Sequence, residues 1–217
     1  MEFSDMSPEL VQGLRKVQES LEPKPNLLGL VVAICKTAKG TTDILDEHLF
    51  RSFPKHSQEY LHLRVSVFFE IASFLAHLAS RVALKELGPL KRQALNEYVG
   101  VLLVEFTVSH FYQPISGGPP KLPLEGFKES FWRFLNESER EYGSCKSWIL
   151  KQDEDIAFAD KVVGGKSEGL LNLLTDNVVR ILNENNPITY YKILLALTSS
   201  IRLSDFRESV LKADKEL

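Results

Sequence analysis

The sequence predicts an all-α protein, one helical domain of eight or nine helices spanning residues 1–217. Three observations carry that reading. Apolar residues recur at helical spacing along most of the chain. Capping residues, prolines and glycines interrupt the pattern at intervals of one helix length. Strand signals are few, and β-branched pairs such as Val31-Val32 fall inside helical periodicity. The 217 residues are 44% hydrophobic and 25% charged, which suits a folded globular chain and excludes a wholly disordered one.

The elements follow in order. Ser7-Pro8-Glu9 is a start signal, a capping serine before a proline at the first helical position, and that helix runs to about Leu21. Pro23 and Pro25 break it. A mostly apolar helix covers 26–39 and ends at Gly40. Thr42 and Asp43 open a third, which ends before Pro54. Ser57 caps a long helix to about Leu87, where Gly88-Pro89 stops it and starts the next, to about Tyr112. Together, 57–112 reads as a long antiparallel helical hairpin.

The stretch 113–124 holds Pro114, Gly117, Gly118, Pro119, Pro120 and Pro123, and is the expected subdomain boundary. A helix from Glu125 to Tyr142 puts Phe127, Phe131, Phe134 and Leu135 on one side, and the run Phe131-Trp132-Arg133-Phe134 reads as core. Further helices are expected over 144–163 and 167–182. Asn185-Asn186-Pro187 begins the last, toward Asp214, apolar nearly all round from Ile188 to Ile201 and expected to be central and buried.

Several functional classes are disfavoured. Net charge is −3 and no basic stripe stands out, so binding to nucleic acid is not expected. Cys35 and Cys145 lack metal-ligand spacing and read as reduced structural thiols of a cytoplasmic protein. The start Met1-Glu2-Phe3-Ser4-Asp5 lacks a secretory pattern. The long apolar runs each carry a glutamate and a histidine, so a buried core pair is expected rather than a membrane hairpin. Gly165-Lys166-Ser167 resembles the end of a phosphate-binding loop, but Asp160 stands where its first glycine belongs. Asp153-Glu154-Asp155 lacks the calcium-loop pattern.

Two glutamates are the candidates for a site. Glu70 sits within Val65–His77 and Glu105 within Val99–Val108, both strongly apolar. A carboxylate in such company is costly unless paired, hydrogen-bonded or protonated. On a wheel of roughly 100° per residue, Glu59, His62, Ser66, Glu70, Ser73 and His77 form one stripe, and Tyr98, Leu102, Glu105, Ser109 and Tyr112 another. Glu70 precedes Gly88 by 18 residues and Glu105 follows Pro89 by 16. At about 1.5 Å rise per residue the two lie within roughly 3 Å of one height.

Three arrangements fit these stripes. The first expectation is a solvent-facing edge. The second is a buried network with Glu bonded to Tyr or Ser. The third is a site, with Glu70, Glu105, His77, Tyr98 and Ser109 as ligand-binding residues, or Glu59, His62, Glu70 and Glu105 holding a di-iron or other divalent metal. Glu59-Tyr60-Leu61-His62 supplies one Glu-x-x-His motif, and no second is present. Without an assembled catalytic motif, the leading expectation is a non-catalytic helical protein with no cofactor, acting through protein–protein contacts and self-association as a homodimer.

Overall fold

The computed structural model describes residues 24–49, 54, 57–116, 124–145 and 169–217. Seven α-helices lie among them: α1 Pro25–Leu49, α2 Gln58–Glu86, α3 Pro89–Ser116, α4 Leu124–Gly143, α5 Leu170–Leu182, α6 Pro187–Ser200 and α7 Leu203–Ala213. A 3-10 turn, Asp214–Glu216, follows. Helices hold 90% of the described residues and no strand occurs among them, so the chain is all-α. The expected helices over 7–21 and 144–163 lie outside the described residues, as do residues 117–123 of the expected boundary.

Inside the described residues the helices depart from expectation at two places, and both differences have physical reasons. Residues 26–39 and 42–53 were expected to be separate, yet α1 runs through Gly40 unbroken. Thr41 and Thr42 do not cap a new helix. Their hydroxyls donate back to the Thr37 and Ala38 carbonyls, both at 2.8 Å, and the helix continues over one glycine. The last helix, expected to be continuous, divides at Ile201-Arg202, both extended. Ser199 and Ser200 both turn their hydroxyls onto the Ala196 carbonyl, and Ile201 is buried as the chain bends. No proline or glycine marks this break.

The second correction concerns burial. Only Ile193, Leu194 and Leu197 of α6 are buried, whereas Ile188 is 65% exposed. The central element is α2. It packs against α1, α3, α4, α5 and α7, and its buried residues run on every side from Ser66 to Ala83. It is long and apolar enough to cross a membrane, and 83% of its most apolar window is buried inside the protein.

Local chemistry fixes the ends of α2. Ser57 caps it by accepting from the Tyr60 N–H at 3.1 Å. At the other end Leu87 and Gly88 both donate to the Ala83 carbonyl, with Gly88 at φ +88°, a conformation glycine adopts without Cβ strain. Pro89 then starts α3, and Arg92 reaches back to Ser80 Oγ at 2.9 Å across the turn. Arg64 and Tyr60 tie α2 to Asp43 and Asp46 of α1. Cys35 is buried beside Thr107, and burial pushes its thiol up to about 12, which removes it as a nucleophile.

One contact closes the fold between distant parts of the chain. The Glu216 carboxylate accepts from the Asn26 N–H at 2.9 Å, the Leu27 N–H at 2.9 Å and the Asn26 side-chain amide at 2.6 Å. It therefore caps the N-terminus of α1, where free N–H groups and the helix dipole both favour a negative charge. Glu216→Ala should lower unfolding free energy by about 1 kcal/mol, the usual worth of a helix cap. Denaturant unfolding measures this, and a variant as stable as wild type would show that water serves α1 equally well.

Candidate functional site

Glu70 is 5% exposed and sits at the middle of α2, where α4 and α5 cover it. The stripe Ser66, Glu70, Ser73 and His77 is thus buried, not a solvent edge; only Glu59 and His62, at the start of the helix, are exposed. The expectation fails because α2 is covered on the polar side as well as the apolar one. What covers it supplies hydrogen bonds.

The aromatic face of α4 explains how. Phe131 stacks on Phe69 at 4.5 Å between ring centroids, and Phe127 and Phe134 meet the same ring edge-on at 5.0 and 5.6 Å. Continuing that face places Ser138 and Tyr142 along α2. Tyr142 is fully buried, its ring edge-on to Phe74, and its hydroxyl donates to Glu70 Oε1. Trp132, expected in the core, points away and lies over Gly100 of α3.

From α5 comes Asn177. Its amide nitrogen donates to Glu70 Oε1 at 2.8 Å and to Glu141 Oε2 at 3.1 Å. Arg180 in turn donates to Asn177 Oδ1 at 2.9 Å and lies 3.7 Å from Glu141. One oxygen of Glu70 is therefore doubly served, while Oε2 takes no hydrogen bond from a described residue. Burial pushes the Glu70 carboxyl above its ordinary value; Tyr142, Asn177 and Arg180 pull it down, and the Glu141 charge adds to the rise. Burial and the adjoining Glu70 push the Tyr142 phenol well up, so it stays a donor.

A half-open cleft of about 520 Å³ adjoins this network, lined by Glu70, Phe134, Glu137, Ser138, Glu141, Arg180 and Ile181. Ser138 is 3% exposed and its hydroxyl bonds to no described residue. Two buried polar groups, the Glu70 carboxylate and the Ser138 hydroxyl, thus border open space.

The other expected site residues are elsewhere engaged. Glu105 does not meet Glu70; it pairs with Lys128 of α4 at 3.0 Å. Tyr98 lies under the Lys24 ammonium, 3.7 Å from the ring centre. The α3 stripe therefore faces those two lysines. The side chain of Ser109 lies outside the described residues. His77 is buried about two turns beyond Glu70, with Nδ1 2.5 Å from Glu139 and Nε2 accepting from Arg81 at 2.8 Å. Because arginine only donates, the ring proton sits on Nδ1, toward Glu139. Arg81 also donates to the Tyr142 and Cys145 carbonyls, closing the end of α4. Among the described residues no group of three or more His, Cys, Asp or Glu is placed to hold a metal ion, so Glu59, His62, Glu70 and Glu105 form no such set.

Sequence reasoning found Glu70 and His77 but not Tyr142, Asn177, Ser138, Glu141 or Arg180. The available signal was Asn177, a polar residue between Leu174 and Val178 on the buried face of α5.

The Glu70 carboxyl titrates higher folded than unfolded. The folded state therefore holds its proton to higher pH, and this contribution is full below the ordinary value of 4.5. It declines as pH rises through the folded value. Glu70→Gln should flatten that decline in thermal denaturation profiles, and Glu70→Ala should cost about 1–3 kcal/mol by leaving Tyr142 and Asn177 without an acceptor. Parallel profiles for wild type and Glu70→Gln would contradict the burial account.

No protein-family model matches the chain, and no curated protein or solved structure matches it either, so its activity is argued from the chemistry of the cleft alone.

Proposed function

We propose that the protein is a non-catalytic binding protein whose recognition element is the cleft at Glu70. One observation carries this reading. A carboxylate inside an apolar helix is held by one oxygen, through Tyr142 and Asn177, while the other takes no hydrogen bond from a described residue, and Glu70 lines a cleft. A purely structural carboxylate is expected to have both oxygens hydrogen-bonded. Preorganised polar groups in a partly apolar cleft are the usual form of a small-ligand site. The Ser138 hydroxyl at the cleft has no histidine or lysine beside it in the lining to act as its base, which favours binding over catalysis. A thermal-denaturation survey of small amines, alcohols and carboxylates tests the reading. At least one class should raise the melting temperature of wild type and lose its effect in Glu70→Gln. A survey in which no class stabilises, or in which Glu70→Gln responds as wild type does, would overturn it.

Self-association is a second reading, and α6 favours it. Ile188, Tyr191 and Leu195 are 65, 42 and 49% exposed and stand at i, i+3 and i+7 on the face turned from α1 and α5. That spacing forms a narrow apolar seam which pairs with its own copy about a two-fold axis. A homodimer through α6 should appear in sedimentation equilibrium. Tyr191→Glu should weaken it, and a concentrated wild type remaining a 24.6 kDa monomer would refute it.

A further inference from the structure

We propose that the ligand of the Glu70 cleft is a small primary ammonium carrying a short apolar body. The assignment rests on the reading of the cleft as a binding site and adds the class of molecule it takes. Three carboxylates, from Glu70, Glu137 and Glu141, line the cleft against one guanidinium, from Arg180. Arg180 is also partly committed, to Asn177 at 2.9 Å and to Glu141 at 3.7 Å. The balance of charge attracts a cation and repels an anion.

Hydrogen-bond valence narrows the class. Two cleft-lining groups without a hydrogen-bond partner among the described residues are acceptors here: Glu70 Oε2, and Ser138 Oγ, whose hydroxyl can also turn its proton toward a carboxylate. An ammonium offers three donors and no acceptor, so it serves Glu70, Ser138 and a rim carboxylate together. A quaternary ammonium has no N–H and leaves both buried groups unserved. A metal ion wants several converging oxygens, and among the described residues no three acidic or imidazole groups converge in that way. Phe134 and Ile181 form the apolar walls, which suit a short alkyl chain behind the charged head.

Isothermal titration calorimetry on the whole chain at fixed ionic strength tests the proposal, with n-butylammonium, tetramethylammonium, n-butanol and n-butyrate as probes. Butylammonium should bind and the other three should not. Glu70→Gln should weaken binding by about tenfold, the loss of a charge-assisted contact, and Ser138→Ala should weaken it less. Glu141→Gln, at a half-exposed position, should weaken it as well and supplies the test if Glu70→Gln does not fold. Arg180→Gln should leave binding unchanged or tighten it, by removing the competing cation. Butyrate binding that disappears in Arg180→Gln would overturn the ammonium assignment while leaving the cleft a binding site. Butylammonium heats equal in wild type, Glu70→Gln and Glu141→Gln would overturn it as well, as would silence from butylammonium.

Discussion

A helix packed on all sides cannot send a polar side chain to water, so its neighbours must answer each one. That constraint governs this protein. α2 is the helix on which five others pack, and it carries Ser66, Glu70, Ser73, His77 and Ser80 among its buried residues. The positions of α3, α4 and α5 are fixed in part by what those groups require. Tyr142 and Asn177 come to Glu70, Glu139 comes to His77, and Arg92 comes to Ser80 and Glu139 together. Ser73 Oγ has no partner among the described residues, and its packing among apolar neighbours must offset that cost.

The two networks on α2 do different work. Around His77, each charge meets its opposite. Burial tends to raise the Glu139 carboxyl, but the His77 hydrogen bond and the nearby arginines outweigh it and hold the carboxyl below its usual value. Arg81 and Arg92 bind α2, α3 and the end of α4 into one assembly. Around Glu70 the matching among the described residues is incomplete, since they serve one oxygen and not the other. A site differs from a brace in this respect: its hydrogen-bond valence is left open where a ligand can reach.

Much of the fold was legible because periodicity, caps and breakers acted together. Ser57, Gly88-Pro89 and Asn186-Pro187 mark ends that the structure also has. The aromatic face at 127, 131 and 134 packs inward as its spacing predicts. What was not legible depended on tertiary surroundings. Gly40-Thr41-Thr42 has the composition of a break, yet threonines bonded to preceding carbonyls serve equally well inside a helix. The apolar sequence 188–201 suggested a core helix, and nothing in its own residues says that only one side would be covered. Glu70 was found as an anomaly, but its partners lie 72 and 107 residues away and no local pattern points to them. The expected meeting with Glu105 followed from equal height on two helices. Height does not fix rotation, and Lys128 draws Glu105 to α4 instead.

The cap on α1 has a consequence for synthesis. Asn26 and Glu216 are 190 residues apart. At a translation rate of roughly 5–20 residues per second, Asn26 is made about 10–40 seconds before its capping carboxylate. Through that interval Leu27, Leu30, Val31 and Ile34 have neither α7 to cover them nor Glu216 to hold the first turn. The first helix of the described fold is therefore completed only after the other described helices are made, and the nascent chain must keep an apolar segment from mispairing until α7 and Glu216 emerge.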